Sequence, residues 1–205
     1  MSVLREKLYP KVVSILNSWA DALNRKGVTP NQLTIAGVAL SFLAGFCFSN
    51  SALLVGALFM ALGGVCDAVD GPLARLSGKE SKFGAFFDST MDRFADGFLF
   101  GGIALHFFNQ DEPFWIAVSI GLIIASFGVS YAKARAENFI EKCSVGVFTR
   151  ETRWAAVGIG ILLPFLLKPL LLISFVGSVW TVYQRIMYTK NTLERPASAE
   201  ADAAL

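Results

Sequence analysis

The chain has 205 residues, 54% of them hydrophobic, with a net charge of only +2. Soluble domains run at about 45–50% apolar residues, so this composition excludes an ordinary soluble domain, and no nucleic-acid partner is expected. A membrane helix needs about 20 mostly apolar residues, so six crossings with short loops would use most of the length. The three cysteines, Cys47, Cys66 and Cys143, are odd in number and widely spaced, which gives neither a disulfide framework nor a CxxC metal site.

In chain order, residues 4–26 carry Leu8, Val12, Ile15, Leu16, Trp19 and Leu23 at helical spacing, with polar residues between them. That pattern predicts an amphipathic helix lying in the membrane interface. Pro10 should fall in its first turns or divide it from a short preceding segment. No uninterrupted apolar core occupies the first thirty residues, so no cleavable signal peptide is expected.

Six spanning segments are predicted, at about 31–49, 52–76, 83–108, 113–140, 152–167 and 169–189. Pro164, Lys168 and Pro169 leave two alternatives between the last pair, a tight hairpin or one kinked region. The expected organisation is all-α: a single membrane domain over 1–195, then a disordered Ala/Glu-rich tail over 196–205. With both termini on one side, seventeen of the eighteen Lys and Arg residues share that side, and only Lys168 faces the other. The positive-inside rule makes that side the cytoplasm.

The chemistry is concentrated between Val65 and Gly97. Asp67 and Asp70 are three apart near the end of the second span, and Asp88 and Asp92 are four apart at the start of the third. Each pair therefore lies on one helix face, and the short connection makes the helices antiparallel neighbours on which the pairs can converge. Carboxylates at that depth are costly and mark functional cavities. Bound Mg²⁺ or Mn²⁺ would relieve their mutual repulsion, because hard divalent cations favour carboxylate oxygen. The alternative is an ionic patch in which these residues pair with Arg75, Lys82 and Arg93. Gly71, Ala74 and Gly84 share the carboxylate faces and leave room there for an elongated ligand.

The segment reads D-x2-D-G-x2-A-R-x8-G-x3-D-x3-D, through Asp67, Asp70, Gly71, Ala74, Arg75, Gly84, Asp88 and Asp92. It resembles the motif of the CDP-alcohol phosphotransferase family at every specified position. The resemblance implies a six-span dimeric membrane enzyme with its active site at the cytoplasmic face. Asp67, Asp70, Asp88 and Asp92 would hold two metal ions, and Asp92 would also be the base on the incoming hydroxyl. The CDP-lipid would lie along Asp67, Asp70, Gly71, Ala74, Arg75, Ser81 and Gly84, with Pro30, Asn31 and Thr34 also approaching the nucleotide. For Asn31 a helix cap is an equal alternative.

Three features bear on the acceptor. DSTMDR, Asp88 to Arg93, resembles the version in phosphatidylinositol phosphate synthases of bacteria and their archaeal relatives. Ser130 and Lys133 sit one turn apart in SYAKARAE, and Arg150, Arg153 and Arg185 follow. In that branch, cations at matching places bind the phosphate of inositol phosphate, a role that suits the bidentate guanidinium and the mobile ammonium. Positive-inside topology is the bland explanation for the same cations, and Arg150 and Arg153 remain alternatives to each other. The donor is CDP-diacylglycerol or a CDP-ether lipid. Glycerol phosphate, free inositol or serine are alternative acceptors, and a small cation transporter is the alternative of another class. His106 is read as packing rather than as a ligand.

Overall fold

A computed structural model describes the backbone of residues 2–194 and the side chains of residue 10 and of residues 12–194. The tail expected over 196–205 lies outside the described residues. Seven α-helices and no strand occur among the described residues: α1 Ser2–Arg25, α2 Pro30–Ser49, α3 Leu53–Ser77, α4 Lys82–Phe108, α5 Pro113–Ala136, α6 Arg150–Leu162 and α7 Leu167–Leu193. They group into two compact units, residues 1–106 and 107–205.

In the first unit, α3 packs against both α1 and α2. α1 runs unbroken through Pro10, which lies in its third turn and does not divide it. An interior proline costs a helix one donor and a clash with the carbonyl four residues back, and α1 carries that cost without a break. Leu16, Ala20 and Leu23 of α1 pack with Leu33, Val69 and Leu73, whereas Val12, Ile15 and Trp19 stay exposed. Close helix contacts are made over glycine. A Cβ on Gly45 of α2 would collide with the Phe98 carbonyl of α4, and one on Gly102 would collide with Gly45 itself. Such close backbone approach is the usual solution inside a bilayer, where small residues replace hydrophobic drive.

In the second unit, α7 packs on α5 and α6. The two alternatives near Pro164 resolve as a hairpin. α6 stops at Leu162, one 3-10 turn covers Pro164–Leu166, and α7 begins at Leu167. Lys168 and Pro169 thus enter the first turn of α7, where proline costs no hydrogen bond. Lys168 Nζ reaches Glu112 Oε2 at 2.6 Å, tying the starts of α7 and α5. α5 ends at Ala136, short of the expected residue 140, and the Glu137 carboxylate there accepts the Cys143 N–H at 3.2 Å.

Polarity is reversed relative to a soluble fold. Ile35, Phe46, Leu58, Ile124 and Val176 are exposed, while Ser41, Ser119, Ser126, Ser174, Ser178 and Thr181 are almost wholly buried. α2, α3, α5 and the Pro164–Leu193 stretch are long and apolar enough to cross a membrane. An apolar exterior on helices of this length is that of an integral membrane protein. The 27 residues of α4 span about 40 Å but include its acidic start, and the 13 of α6 reach about 20 Å, against a hydrocarbon core of about 30 Å. Among the described residues the structure therefore has four candidate spans by length and composition, where the sequence reading expected six.

Candidate active site

The connection between α3 and α4 sets the site. α3 ends on Gly78 at φ +64°, a left-handed position that glycine takes without strain. The Lys79 N–H then returns to the Ala74 carbonyl at 3.1 Å. Three residues after Gly78, Ser81 Oγ accepts the Gly84 N–H at 2.9 Å and caps the start of α4. The turn and the cap bring the C-terminal end of α3 beside the first turns of α4.

Asp67, Asp70 and Asp88 converge there, each offering one carboxylate oxygen, and these oxygens lie within 4.8 Å of one another. Asp92, one turn further along α4, is not part of that group. Its Oδ2 lies 3.3 Å from Arg93 Nη2. Neither Arg75 nor Lys82 makes an ion pair among the described residues. Of the three cations in the ionic-patch alternative, Arg93 is the one that pairs with a motif carboxylate, Asp92.

Asp70 is about nine-tenths buried, and its Oδ2 accepts the Thr34 hydroxyl from α2 at 3.0 Å. Thr34 Oγ1 also lies 3.2 Å from the Pro30 carbonyl. The fold thus uses a neutral hydroxyl rather than a cation to orient this carboxylate. A group of three acidic oxygens held this close has the chemistry of a hard-cation site. Two ligands on opposite sides of a divalent ion stand about 4–5 Å apart, so the observed spacing fits one.

A cavity of about 240 Å³ opens beside the carboxylates. Asp70 and Asp88 line it, together with Pro30, Asn31, Thr34, Gly71, Ala74, Arg75, Ser81 and Gly84. Of the residues expected to face the CDP-lipid, only Asp67 is absent from this lining. A Cβ on Gly71 would meet nothing nearer than Arg75 Nη1 at 3.8 Å, so the missing side chain leaves open space. Gly84 is different. A Cβ there would come within 3.1 Å of Ser81 Oγ, pressing on the cap. Thr29 caps α2 in a reciprocal box with Gln32, which removes the capping alternative for Asn31. Lys79, Glu80 and Ala85 also line the cavity and escaped the sequence reading. Their only signal was position, between the glycine turn and the second carboxylate pair.

In the second unit, the cations expected to meet the acceptor phosphate are partly engaged with backbone. Arg185, only 6% exposed, donates from Nε to the Val145 carbonyl at 3.1 Å and from Nη1 to the Val129 carbonyl. Arg153, fully buried, donates to the Phe148 carbonyl at 2.9 Å. Both therefore hold the α5–α6 connection, where Thr181 Oγ1 accepts the Phe148 N–H at 3.3 Å. Arg150 stacks over the Trp154 ring at 4.2 Å. Ser130 is half-buried on α5 and Lys133 is exposed.

Comparison with known proteins places the chain among CDP-alcohol phosphatidyltransferases. The sequence model described as CDP-alcohol phosphatidyltransferase matches residues 27–189. An archaetidylinositol phosphate synthase of Pyrococcus horikoshii is 34% identical over 189 residues, covering 92% of this chain and 97% of the relative. The Mycobacterium tuberculosis phosphatidylinositol phosphate synthase with CDP-DAG bound superposes with a TM-score of 0.78 at 30% identity, covering 86% of this chain and 94% of the other. The same enzyme in complex with manganese and citrate gives 0.80 at 28% identity, with coverages of 89% and 93%.

Proposed function

Because the chain belongs to the CDP-alcohol phosphatidyltransferase family, we propose that it transfers a phosphatidyl-type group from a CDP-lipid to inositol phosphate, releasing CMP. The observation that carries this reading is the convergence of Asp67, Asp70 and Asp88 beside a cavity lined by the donor-motif residues. Relatives named for phosphatidylinositol phosphate and for archaetidylinositol phosphate support the inositol phosphate acceptor and leave diacyl and ether donors both in play.

In this reading Asp67, Asp70 and Asp88, with Asp92, hold divalent metal, Mg²⁺ or Mn²⁺, as two ions. The manganese complex of the mycobacterial relative supports that choice. Metal bound there would supply charge neutralisation at the donor pyrophosphate. The remaining work falls to the chain's own residues. Gly71 and Ala74 leave the floor of the cavity open for the nucleotide, and Arg75 stands at its edge as a fixed cation. Thr34 keeps Asp70 in one rotamer, so the carboxylate need not reorganise when the donor arrives. Asp92 takes the proton of the attacking hydroxyl, as a carboxylate within hydrogen-bond reach can.

Ser130, Lys133 and Arg185, with Arg150 or Arg153, receive the acceptor phosphate. A guanidinium has five N–H donors, so Arg185 retains donors beyond the two it gives to carbonyls. The protein acts at the cytoplasmic face, with both termini there, as a homodimer in the bilayer; the one-sided distribution of Lys and Arg supports that orientation. The deciding experiment incubates purified protein with a CDP-lipid, Mg²⁺ and a panel of acceptors. CMP release should be fastest with inositol phosphate. Preference for glycerol phosphate, free inositol or serine would overturn the acceptor assignment.

A further inference from the structure

The C-terminal halves of α5 and α7 enclose a second cavity, a groove of about 470 Å³ within the second unit. Its walls are mainly apolar, with Gly128 and Ala132 on α5 facing Val182 and Ile186 on α7. Gly128 keeps the two helices close, since a Cβ there would stand 3.3 Å from Val182 Cγ2. Both helices have the length and apolarity of membrane spans. Tyr131, Phe139 and Ile186 at the groove are more than half exposed, so the groove opens on the surface that meets lipid rather than into the core.

The groove carries a cation. Arg135 lines it and sits near the end of α5, with its guanidinium 4.8 Å from the centroid of the Phe139 ring. It makes no ion pair among the described residues. The adjacent acid Glu137 instead uses its carboxylate to accept the Cys143 N–H. Arg185 also borders the groove, but two of its donors serve backbone carbonyls. An apolar trough ending at an arginine that has no acidic partner is complementary to one class of molecule, an amphiphile with a hydrocarbon chain and an anionic phosphate.

We propose that this groove binds one phospholipid of the surrounding bilayer, selected for a net-negative head group. Its acyl chain lies between α5 and α7, and its phosphodiester rests on Arg135. Arg135 confers selectivity because a zwitterionic head brings its own cation and gains less from a protein guanidinium. The apolar walls supply the non-selective part of the affinity. The proposal rests on the membrane character of α5 and α7, not on the transfer reaction, so the two readings can fail separately.

The test uses the full-length protein, purified and delipidated in detergent. Native mass spectrometry then follows titration with palmitoyl-oleoyl phosphatidylglycerol, phosphatidylcholine or CDP-diacylglycerol. One phosphatidylglycerol should be retained with about tenfold preference over phosphatidylcholine, the size expected for one charge-assisted contact. Arg135→Gln should bring that preference close to unity, and Arg135→Lys should keep most of it. Ala132→Phe, which fills the groove, should weaken retention of both lipids. Arg135 is exposed, so its variants should fold even if Ala132→Phe does not, and CMP release should persist in them. Three outcomes would overturn the proposal: equal retention of the two lipids by the wild type, undiminished preference in Arg135→Gln, or an adduct formed only by CDP-diacylglycerol. The last would assign the groove to the chains of the donor.

Discussion

Thr34 on α2 donates its hydroxyl to Asp70 Oδ2 on α3 at 3.0 Å, and 36 residues of sequence separate the two. The bond links a segment read as nucleotide-facing to the carboxylate cluster, and it leaves one acidic oxygen oriented before any ligand binds. Thr34→Val keeps the shape and removes the donor. A hydrogen bond to a charged group contributes about 1.5–3 kcal/mol, so Mn²⁺ affinity should fall about tenfold or more. Thr34→Ser should restore most of it. Manganese titration followed by electron paramagnetic resonance reads both variants, and unchanged affinity in Thr34→Val would remove Thr34 from the site.

Metal dependence should be complete. Chelation should abolish CMP release, and Mg²⁺ or Mn²⁺ should restore it. Asp67→Asn, Asp70→Asn and Asp88→Asn should each be inactive while still inserted and folded, because the three oxygens share one small volume. Turnover that persists in excess chelator would contradict the hard-cation reading.

Asp92 is read as the base as well as a ligand, which predicts a separable phenotype. Asp92→Asn should retain CDP-lipid binding and lose turnover. Equal loss of both would make Asp92 chiefly a ligand rather than a base.

The acceptor cations should divide by burial. Lys133 is exposed, so Lys133→Ala should raise the KM for inositol phosphate about tenfold or more and leave the unfolding temperature unchanged. Arg185 holds the Val129 and Val145 carbonyls, so Arg185→Ala should raise the KM and also lower the unfolding temperature. Kinetics and thermal unfolding in detergent, measured together, distinguish the two residues.

Glycine packing in the first unit gives a stability prediction. Gly45→Val drives a side chain into the Phe98 carbonyl, and overpacking of this kind costs about 1–3 kcal/mol. Gly101→Ala meets nothing within 4 Å and should be neutral. Thermal unfolding of the two variants makes the comparison.

Much of this protein was legible from its residues alone. Apolar runs of membrane length located α2, α3 and α5 to within a few residues, because in a bilayer every backbone polar group must be satisfied within the helix. The spacing of Asp67, Asp70 and Asp88 announced a shared site, because helical periodicity places residues three or four apart on one face. Gly71 and Ala74 fall on the wall of one cavity for the same reason.

Tertiary structure decided what periodicity cannot carry. That Asp92 lies outside the three-carboxylate group depends on how α3 and α4 approach each other, a distance that no spacing along one helix encodes. The tie between Thr34 and Asp70 joins two helices through a single hydroxyl, and a threonine in an apolar run reads the same whether it bonds its own helix or a neighbour. Arg153 and Arg185 show the limit most plainly. Nothing in the sequence gives them a second, structural role beside the one read for a phosphate. In the fold their guanidiniums are buried on the backbone carbonyls of Phe148, Val129 and Val145, because an irregular connection packed among helices leaves polar groups that something must satisfy.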